Sequence, residues 1–560
     1  MSNYDVCIIG SGAGAGPVAF TLSSKGYKVI VLEKGPWLKA EDFAKDEIGV
    51  CRRNFYTPSL VDEPQVIEER ENGVWEAKSN ALTGWDFWNG NIVGGSSNLM
   101  SGYFHRSKPV DFRLLSEFGS IEGANIVDWP ITYNDLESYY TKVELVVGIS
   151  GKVANHPYLE PRSTSDFPFP SLADHPIAEI FDKACLDLGF NSIKTPRAIL
   201  SRPHNNRNSC SYSGYCGSYG CMTNAKGSSR AALLNLAIDT GNCEIRAKSH
   251  VFFLNTNAQG NVNYIKYYDA QGKENKVDAQ IYVIACQAVE TCRLLLLSTG
   301  KKHENGVGNK YGQVGKNFIF SAGGTGGCEF RRTDFKESVF NGLMSRGLFV
   351  SRSVQDWYVI NDNDLGRIKG GTIDFLLAHP NPIRRATNLK YDDQDNLLWG
   401  EKLKKKLKHH FNNIVPFRFE VFCDWHPNND CFVSLDPNIK DKWGLPVARI
   451  RVGYHTNDLV PSNYLADKAE TILKKMGGRN IYSSISGSPP SNLMAGGCRF
   501  GENPQNSVLN SECRVHNVEN LYIADGSFIP TGGSVPYTWT IYANSFRMAD
   551  ILSSKLKKPL

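Results

Sequence analysis

Tyr4-Asp5-Val6-Cys7-Ile8-Ile9-Gly10-Ser11-Gly12-Ala13-Gly14-Ala15-Gly16, with Lys28-Val29-Ile30-Val31-Leu32-Glu33-Lys34-Gly35 after it, decides the fold. Val6 to Ile9 is a short apolar run of the kind a parallel strand shows when both its faces are covered. The glycines that follow fit G-x-G-x-x-G/A at a strand-to-helix turn. Gly10 serves the tight turn. Gly12 leaves a pyrophosphate room to approach the backbone, with Ser11 and Gly14 beside it. Ala15 lets the helix lie close to the sheet. The helix is expected to run to about Lys25 and stop at Gly26, and Pro17 is tolerated in its first turn. The second strand ends at Glu33 and Lys34, where a carboxylate can accept from ribose hydroxyls and would repel a 2′-phosphate. A strand, glycines, a helix, a second strand and an acid in register point to a dinucleotide. This stretch alone leaves NAD and FAD both open.

The chain has 560 residues, enough for two intimately joined domains, with 21% charged and 41% apolar residues and a formal net charge of +5. The basic run Lys402 to Lys408, with His409 and His410, reads as a solvated helix face and not as a nucleic-acid site. No apolar stretch reaches the ~18 residues of a membrane span. The first strand starts almost at once, which leaves no secretory leader and predicts a cytoplasmic location. Fourteen cysteines in so long a chain do not form a secreted disulfide scaffold.

Further along, Gly90-Asn91-Ile92-Val93-Gly94-Gly95-Ser96-Ser97 reads as backbone passing close to a ligand. Thr132 or Asn134 caps a helix carrying Tyr139 and Tyr140. Residues 151–173 form a linking excursion, and residues 203–224 are turn-like, with Cys210, Cys216 and Cys221. Gln280 to Ala285 is a buried strand followed by a helix from Val289 to Leu297. From 326 to 494, short strands and loops are expected, with a helix over 461–476 and a hairpin pairing Phe417–Trp425 with Cys431–Leu435. This β-rich layer is the expected substrate side. Leu521 to Ala524 is a strand ending at Asp525-Gly526. A helix from about Tyr537 to Leu552 then places a second positive helix end at a strand–loop–helix junction. Two such junctions favour FAD over NAD. The second would face the pyrimidine end of an isoalloxazine.

The N-terminal glycine motif, Val93-Gly94-Gly95-Ser96-Ser97, Asp128-Trp129-Pro130-Ile131, Val314-Gly315-Lys316-Asn317-Phe318 and Asn520-Leu521-Tyr522-Ile523-Ala524-Asp525-Gly526 together resemble the glucose–methanol–choline (GMC) flavoprotein oxidoreductases, in their dehydrogenase-like branch. The resemblance implies an α/β fold: a Rossmann-like FAD-binding domain from residues 1–110, 225–320 and 495–560, and a β-rich α+β substrate domain from 111–224 and 321–494. It implies non-covalent FAD, with Gly10, Gly12 and Gly14 at the pyrophosphate and Glu33 at the ribose. Gly95, Ser96, Met100 and Ser101 would line the flavin, with Val251 near the adenine, and Gly94 and Ala285 would also bind the cofactor. Asp525, Gly526, Tyr537 and Thr538 would sit at the flavin's far end. The implied reaction is hydride transfer from a hydroxylated sugar-like or natural-product substrate.

The same resemblance exposes departures. The family's proton-accepting histidine falls on Leu493 and its second histidine or asparagine on Pro536, and the usual histidine near Ser321 is missing. Either another side chain replaces the base, with Tyr537, His105 and His426 as candidates, or the flavin does something other than alcohol oxidation: oxidising or reducing a carbon–carbon bond, or a redox-neutral rearrangement. A flavin-bearing electron-transfer subunit is a third class. Cys210-x5-Cys216-x4-Cys221 resembles a loop that in some relatives holds a 3Fe-4S cluster on three thiolates. Three reduced cysteines, or a disulfide and a spare thiol, are the plainer reading. With the cluster, the enzyme would be a dehydrogenase passing electrons to an acceptor protein or quinone.

Overall fold

Val6, Cys7 and Ile8 are fully buried, as are Ile30 and Val31, so these strands need cover on both faces. In the computed structural model, which describes residues 4–48, 59–348 and 350–556, they lie at the centre of a parallel sheet. The elements used below are, in chain order, strands β1 (Tyr4–Ile9), β2 (Val29–Leu32), β3 (Ile193–Lys194), β4 (Cys243–Arg246), β5 (Ala279–Ile284), β6 (Ser321–Arg331), β7 (Val350–Val354), β8 (Gly371–Leu377), β9 (Ile414–Asp424), β10 (Arg479–Ile485) and β11 (Leu521–Ile523), and helices α1 (Ala15–Ser24), α2 (Ala288–Leu297), α3 (Pro382–Asn388), α4 (Gly400–Asn413), α5 (Leu459–Lys475) and α6 (Thr538–Lys555).

The first sheet has the order β11-β5-β1-β2-β4 and is parallel throughout, with Val6 opposite Ile281 on one side and Val29 on the other. Its strands come from both ends and the middle of the chain. Helix α1 packs on β1 and β2, and α6 packs on α1. Gly26, at φ 88°, ends α1 as the sequence predicts. Gly16 marks a different close approach, to the helical segment around residues 229–234: a Cβ there would sit 2.7 Å from the Ser229 hydroxyl and 2.9 Å from Leu233.

The second sheet is antiparallel, in the order β10-β6-β9-β8-β7-β3. Its long strands β6 and β9 pair over eleven residues, from Ser321 opposite Asp424 to Arg331 opposite Ile414. Helix α5 covers it, starting two residues earlier than expected. The expected hairpin does not form. Instead β9 stays in this sheet, and Phe432–Lys440 pairs with Pro446–Arg451 in a separate four-stranded sheet. The connection through Pro427 cannot fold back as a ladder, because proline lacks the amide and the His426 amide is taken by Asp458. Residues 326–494 also hold more regular structure than short strands: β6 and β9, the helices α3 and α4, and α5.

Candidate active site

The loop after β1 and the loop before α6 meet. A Cβ on Gly14 would lie 2.2 Å from the carbonyl oxygen of Ala524, at the end of β11. Gly10, at φ 88°, is equally hemmed: its Cβ would meet the Ala285 carbonyl at 2.5 Å, where β5 ends. The C-terminal ends of three neighbouring strands thus converge, the usual place for a ligand in an open α/β sheet. An elongated cavity starts there. No side chain caps the N-terminus of α1 or of α6, and both ends lie at this cavity. Uncapped amides and two positive dipole ends make a cradle for anionic groups. Gly12 is the open position: a Cβ there would meet only the Ala285 oxygen, at 3.6 Å.

At one end of the cavity, Glu33 Oε2 accepts from the Ser11 amide at 3.0 Å and its hydroxyl at 2.6 Å, and Oε1 accepts from Gly35 at 2.8 Å. Burial pushes the carboxyl up, against these hydrogen bonds. Three of about four acceptor sites are used, so one remains for a ligand hydroxyl. Lys34 is paired with Glu63 at 2.5 Å. His250 is held well below the ordinary histidine value by burial first, then by Lys34, Arg293 and Lys442, so it is neutral there.

At the other end, the wall is made by Trp88 to Asn91, by Asn492, Leu493 and Met494, and by Tyr537 and Thr538. The Trp88 amide donates to the Ser491 carbonyl at 2.7 Å, joining the first two segments. Leu493 has φ 61°, a left-handed conformation that a branched apolar residue rarely adopts. Asp525 accepts from the Thr291 hydroxyl at 2.5 Å and from the Ser527 amide at 2.9 Å, and burial raises its carboxyl against those bonds.

Of the residues expected at the cofactor, Gly10, Ser11, Gly12, Gly14, Glu33, Lys34, Gly95, Ser96, Met100, Val251, Ala285, Asp525, Gly526, Tyr537 and Thr538 line this one cavity. Ala15, Gly94 and Ser101 stand behind the lining. Gly94 donates to the Ser11 hydroxyl at 2.8 Å, and the Ser101 carbonyl accepts from Arg197 at 2.6 Å. The sequence reading did not single out His250, Gln287 or Asn492 for this cavity. Gln287, at φ 75°, caps α2 by accepting from the Val289 amide at 3.0 Å. The available signal was a third strand-to-helix junction at 285–288.

The three candidate bases are engaged elsewhere. Tyr537 lines the cavity, but its hydroxyl donates to the Phe320 carbonyl at 2.5 Å, and burial, then the charge of Asp424, holds the phenol well above its ordinary value. His105 is buried against Asp374, Nε2 to Oδ1 3.1 Å, off the cavity. His426 is also off the cavity, with Nδ1 on the Asp458 carboxylate; burial works against its charge, but the hydrogen bond and charge of Asp458, together with the charge of Asp424, outweigh that and raise it.

The cysteine loop does not present a ligand set. Among the described residues, no group of three His, Cys, Asp or Glu side chains is placed to hold a metal ion. Cys216 packs with Phe169, Leu172 and Leu200, and burial pushes the Cys210 thiol up to about 11. For Cys221, burial opposes ionisation, but Lys226 and the Thr223 hydroxyl outweigh it and lower the thiol.

Two models described as GMC oxidoreductase match the chain, over residues 79–320 and 427–545. A 2-methyl-1,2-propanediol dehydrogenase of Mycolicibacterium austroafricanum is 30% identical, over 98% of this chain and 95% of its own length. A 6'''-hydroxyparomomycin C oxidase of Streptomyces lividus is 29% identical, over 99% and 92%. The crystal structure of pyridoxine 4-oxidase from Mesorbium loti superposes with a TM-score of 0.64 at 16% identity, covering 99% of this chain and all of that one, which is a likeness of fold.

Proposed function

The chain belongs to the GMC oxidoreductase family, FAD-dependent enzymes acting on alcohol groups, and on that premise we propose that its substrate is a polyol or sugar-like molecule and that it works as a dehydrogenase. The observation that carries this reading is the single cavity joining the free N-termini of α1 and α6. FAD, when bound, supplies a hydride acceptor for the carbinol carbon. Around it, α1 and the glycines through Gly14 would hold the pyrophosphate, Glu33 a ribose hydroxyl, and the start of α6 the pyrimidine edge. The wall of Trp88, Asn492, Leu493 and Tyr537 would receive the substrate.

Leu493 and Pro536 cannot accept a proton, and Tyr537 already donates its own to Phe320. Asn89, Asn91 and Asn492 are polar groups on this wall that could orient the alcohol. The hydroxyl proton would then leave to water, without the roughly 10²–10⁴-fold help of a positioned base. The non-alcohol alternatives raised by the missing histidines are not favoured, since both relatives above carry alcohol or polyol substrates in their names. The electron acceptor would be a protein or a quinone. No step is routed through Cys210, Cys216 and Cys221, and iron analysis of the purified protein tests that directly. The reading as a whole is tested by anaerobic mixing of the FAD-loaded protein with diols and aminosugars: reduction of the flavin by one of them supports it, and a protein that binds no FAD overturns it.

A further inference from the structure

Between β8 and β9 the chain leaves the antiparallel sheet for an excursion that contains α3 and α4. Neither helix has a buried residue. On α4, Leu403, Leu407 and Phe411 recur at helical spacing, which would normally be a core face. Here each is only half-buried. Phe411 lines a cavity of about 310 Å³ with Arg385, Pro380 and Tyr215. The excursion is nevertheless one unit. Lys406 donates to the Tyr391 carbonyl at 2.6 Å, Arg385 to His410 Nε2 at 3.0 Å, and the Glu47 carboxylate takes the first amides of α3.

Its outer surface combines two features. Trp399 is 79% exposed and Leu397 60%, with Ile383 and Tyr391 also exposed. Directly after Trp399, α4 carries Lys402, Lys404, Lys405, Lys406 and Lys408 against a single acid, Glu401. The preceding turn adds Asp392, Asp393 and Asp395, of which Asp392 is occupied by the amides of Gln394 and Asn396, and with Arg384, Arg385 and Lys390 the excursion stays basic. Leaving a tryptophan and a leucine in water is unfavourable, and a lysine-rich helix flanked by exposed Trp, Leu, Ile and Tyr is the pattern of an element lying in a lipid headgroup layer. Lysine stems can keep their ammonium groups at the headgroups while the apolar groups sink deeper.

We infer that this excursion docks the protein on the surface of an anionic phospholipid bilayer, with Trp399 and Leu397 inserted and the lysines of α4 on the headgroups. The attraction is ion-based, so it must weaken with salt. None of these residues lines the cofactor cavity, so the surface can be altered without touching the chemistry.

The test is co-sedimentation of the FAD-loaded, full-length protein with phosphatidylcholine vesicles, with and without phosphatidylglycerol. Binding is expected only with phosphatidylglycerol, falling as salt is raised. A Lys402→Glu/Lys405→Glu/Lys408→Glu variant should lose more than about 100-fold in apparent affinity, and Leu397→Ser/Trp399→Ser at least about 10-fold. Flavin content and melting temperature report that each variant is folded. No binding to phosphatidylglycerol vesicles at low salt, equal binding to neutral vesicles, or undiminished binding by both variants would overturn the inference. So would a wild-type dimer that the serine variant converts to monomer, which would make the face a subunit interface.

Discussion

Gly12 and Gly14 are two residues apart in one loop, and the structure gives them different duties. Changing each to alanine separates the fold from the cofactor site. In Gly14→Ala, the new methyl meets the Ala524 oxygen at 2.2 Å, its carbon at 2.5 Å and the Asp525 amide nitrogen at 3.0 Å. All three are backbone atoms at the end of β11, so no side chain can swing aside. Overpacking of this kind costs about 1–3 kcal/mol, and the upper end is expected where both partners are main chain. In Gly12→Ala, the nearest atom is 3.6 Å away and φ is not positive, so the folded chain without FAD accepts the methyl. Its unfolded state loses freedom, which adds about 0.4–1 kcal/mol of stability. The methyl instead projects where the pyrophosphate would approach the backbone. A displacement costing about 1–3 kcal/mol weakens FAD by roughly 5- to 150-fold. Urea unfolding of the deflavinated proteins measures the first quantity, and titration of flavin fluorescence measures the second. The expected result is a destabilised Gly14→Ala and a stable Gly12→Ala that binds FAD poorly. Equal destabilisation by the two, or wild-type FAD affinity in Gly12→Ala, would refute the reasoning.

Leu493→His restores a proton acceptor and puts a residue more tolerant of φ 61° at that position; flavin reduction by simple alcohols should rise at least about 10-fold with no loss of melting temperature, and an unchanged rate would place the alcohol elsewhere. Tyr537→Phe removes only the donor to the Phe320 carbonyl, so it should cost about 1 kcal/mol of stability and leave the pH profile of flavin reduction intact; a profile that loses its rise with increasing pH would make Tyr537 the base after all. Glu160 is buried beside Lys108 and Arg162. Burial raises its carboxyl, but the charge and hydrogen bond of Lys108, a backbone hydrogen bond and the charge of Arg106 together outweigh burial and set it to about 2 against an ordinary 4.5. A depressed acid stabilises the fold above its unfolded value and loses that contribution as pH falls. Glu160 should therefore contribute about 3 kcal/mol at neutral pH, disappearing between pH 4.5 and about 2; Glu160→Gln should flatten this part of the acid-unfolding curve, and an unchanged curve would count against it. His426 has the opposite sign: raised by Asp458, it stabilises most below about pH 6.5 and loses this as pH rises, so His426→Asn should cost more stability at pH 6 than at pH 9 in thermal melts.

What could be read from the chain was what short-range pattern encodes. Val6 to Gly35 carries its strand, turn, helix and acid in one uninterrupted register, and the structure repeats it nearly residue for residue. The second helix terminus at Thr538 was legible for the same reason. The hairpin at 417–435 failed because two apolar runs joined by His-Pro-Asn-Asn-Asp carry no information about which sheet each joins; β6 and β8, from elsewhere in the chain, claimed the first run. The wall holding Trp88 beside Ser491 is likewise a contact across four hundred residues that no local motif announces. Leu493 was legible as an absence of the expected side chain, while its left-handed backbone and its partners in the wall come only from the folded chain.

The central claim is that one cavity, floored by α1 and α6, brings FAD and a carbinol hydrogen together despite Leu493 and Pro536. Anaerobic mixing of the FAD-loaded protein with a reducing polyol, protiated or deuterated at the carbinol carbon, tests it most directly. The account predicts loss of the flavin's visible absorbance in one turnover, slower for the deuterated substrate. Tightly bound FAD that no carbinol-bearing compound reduces would contradict it.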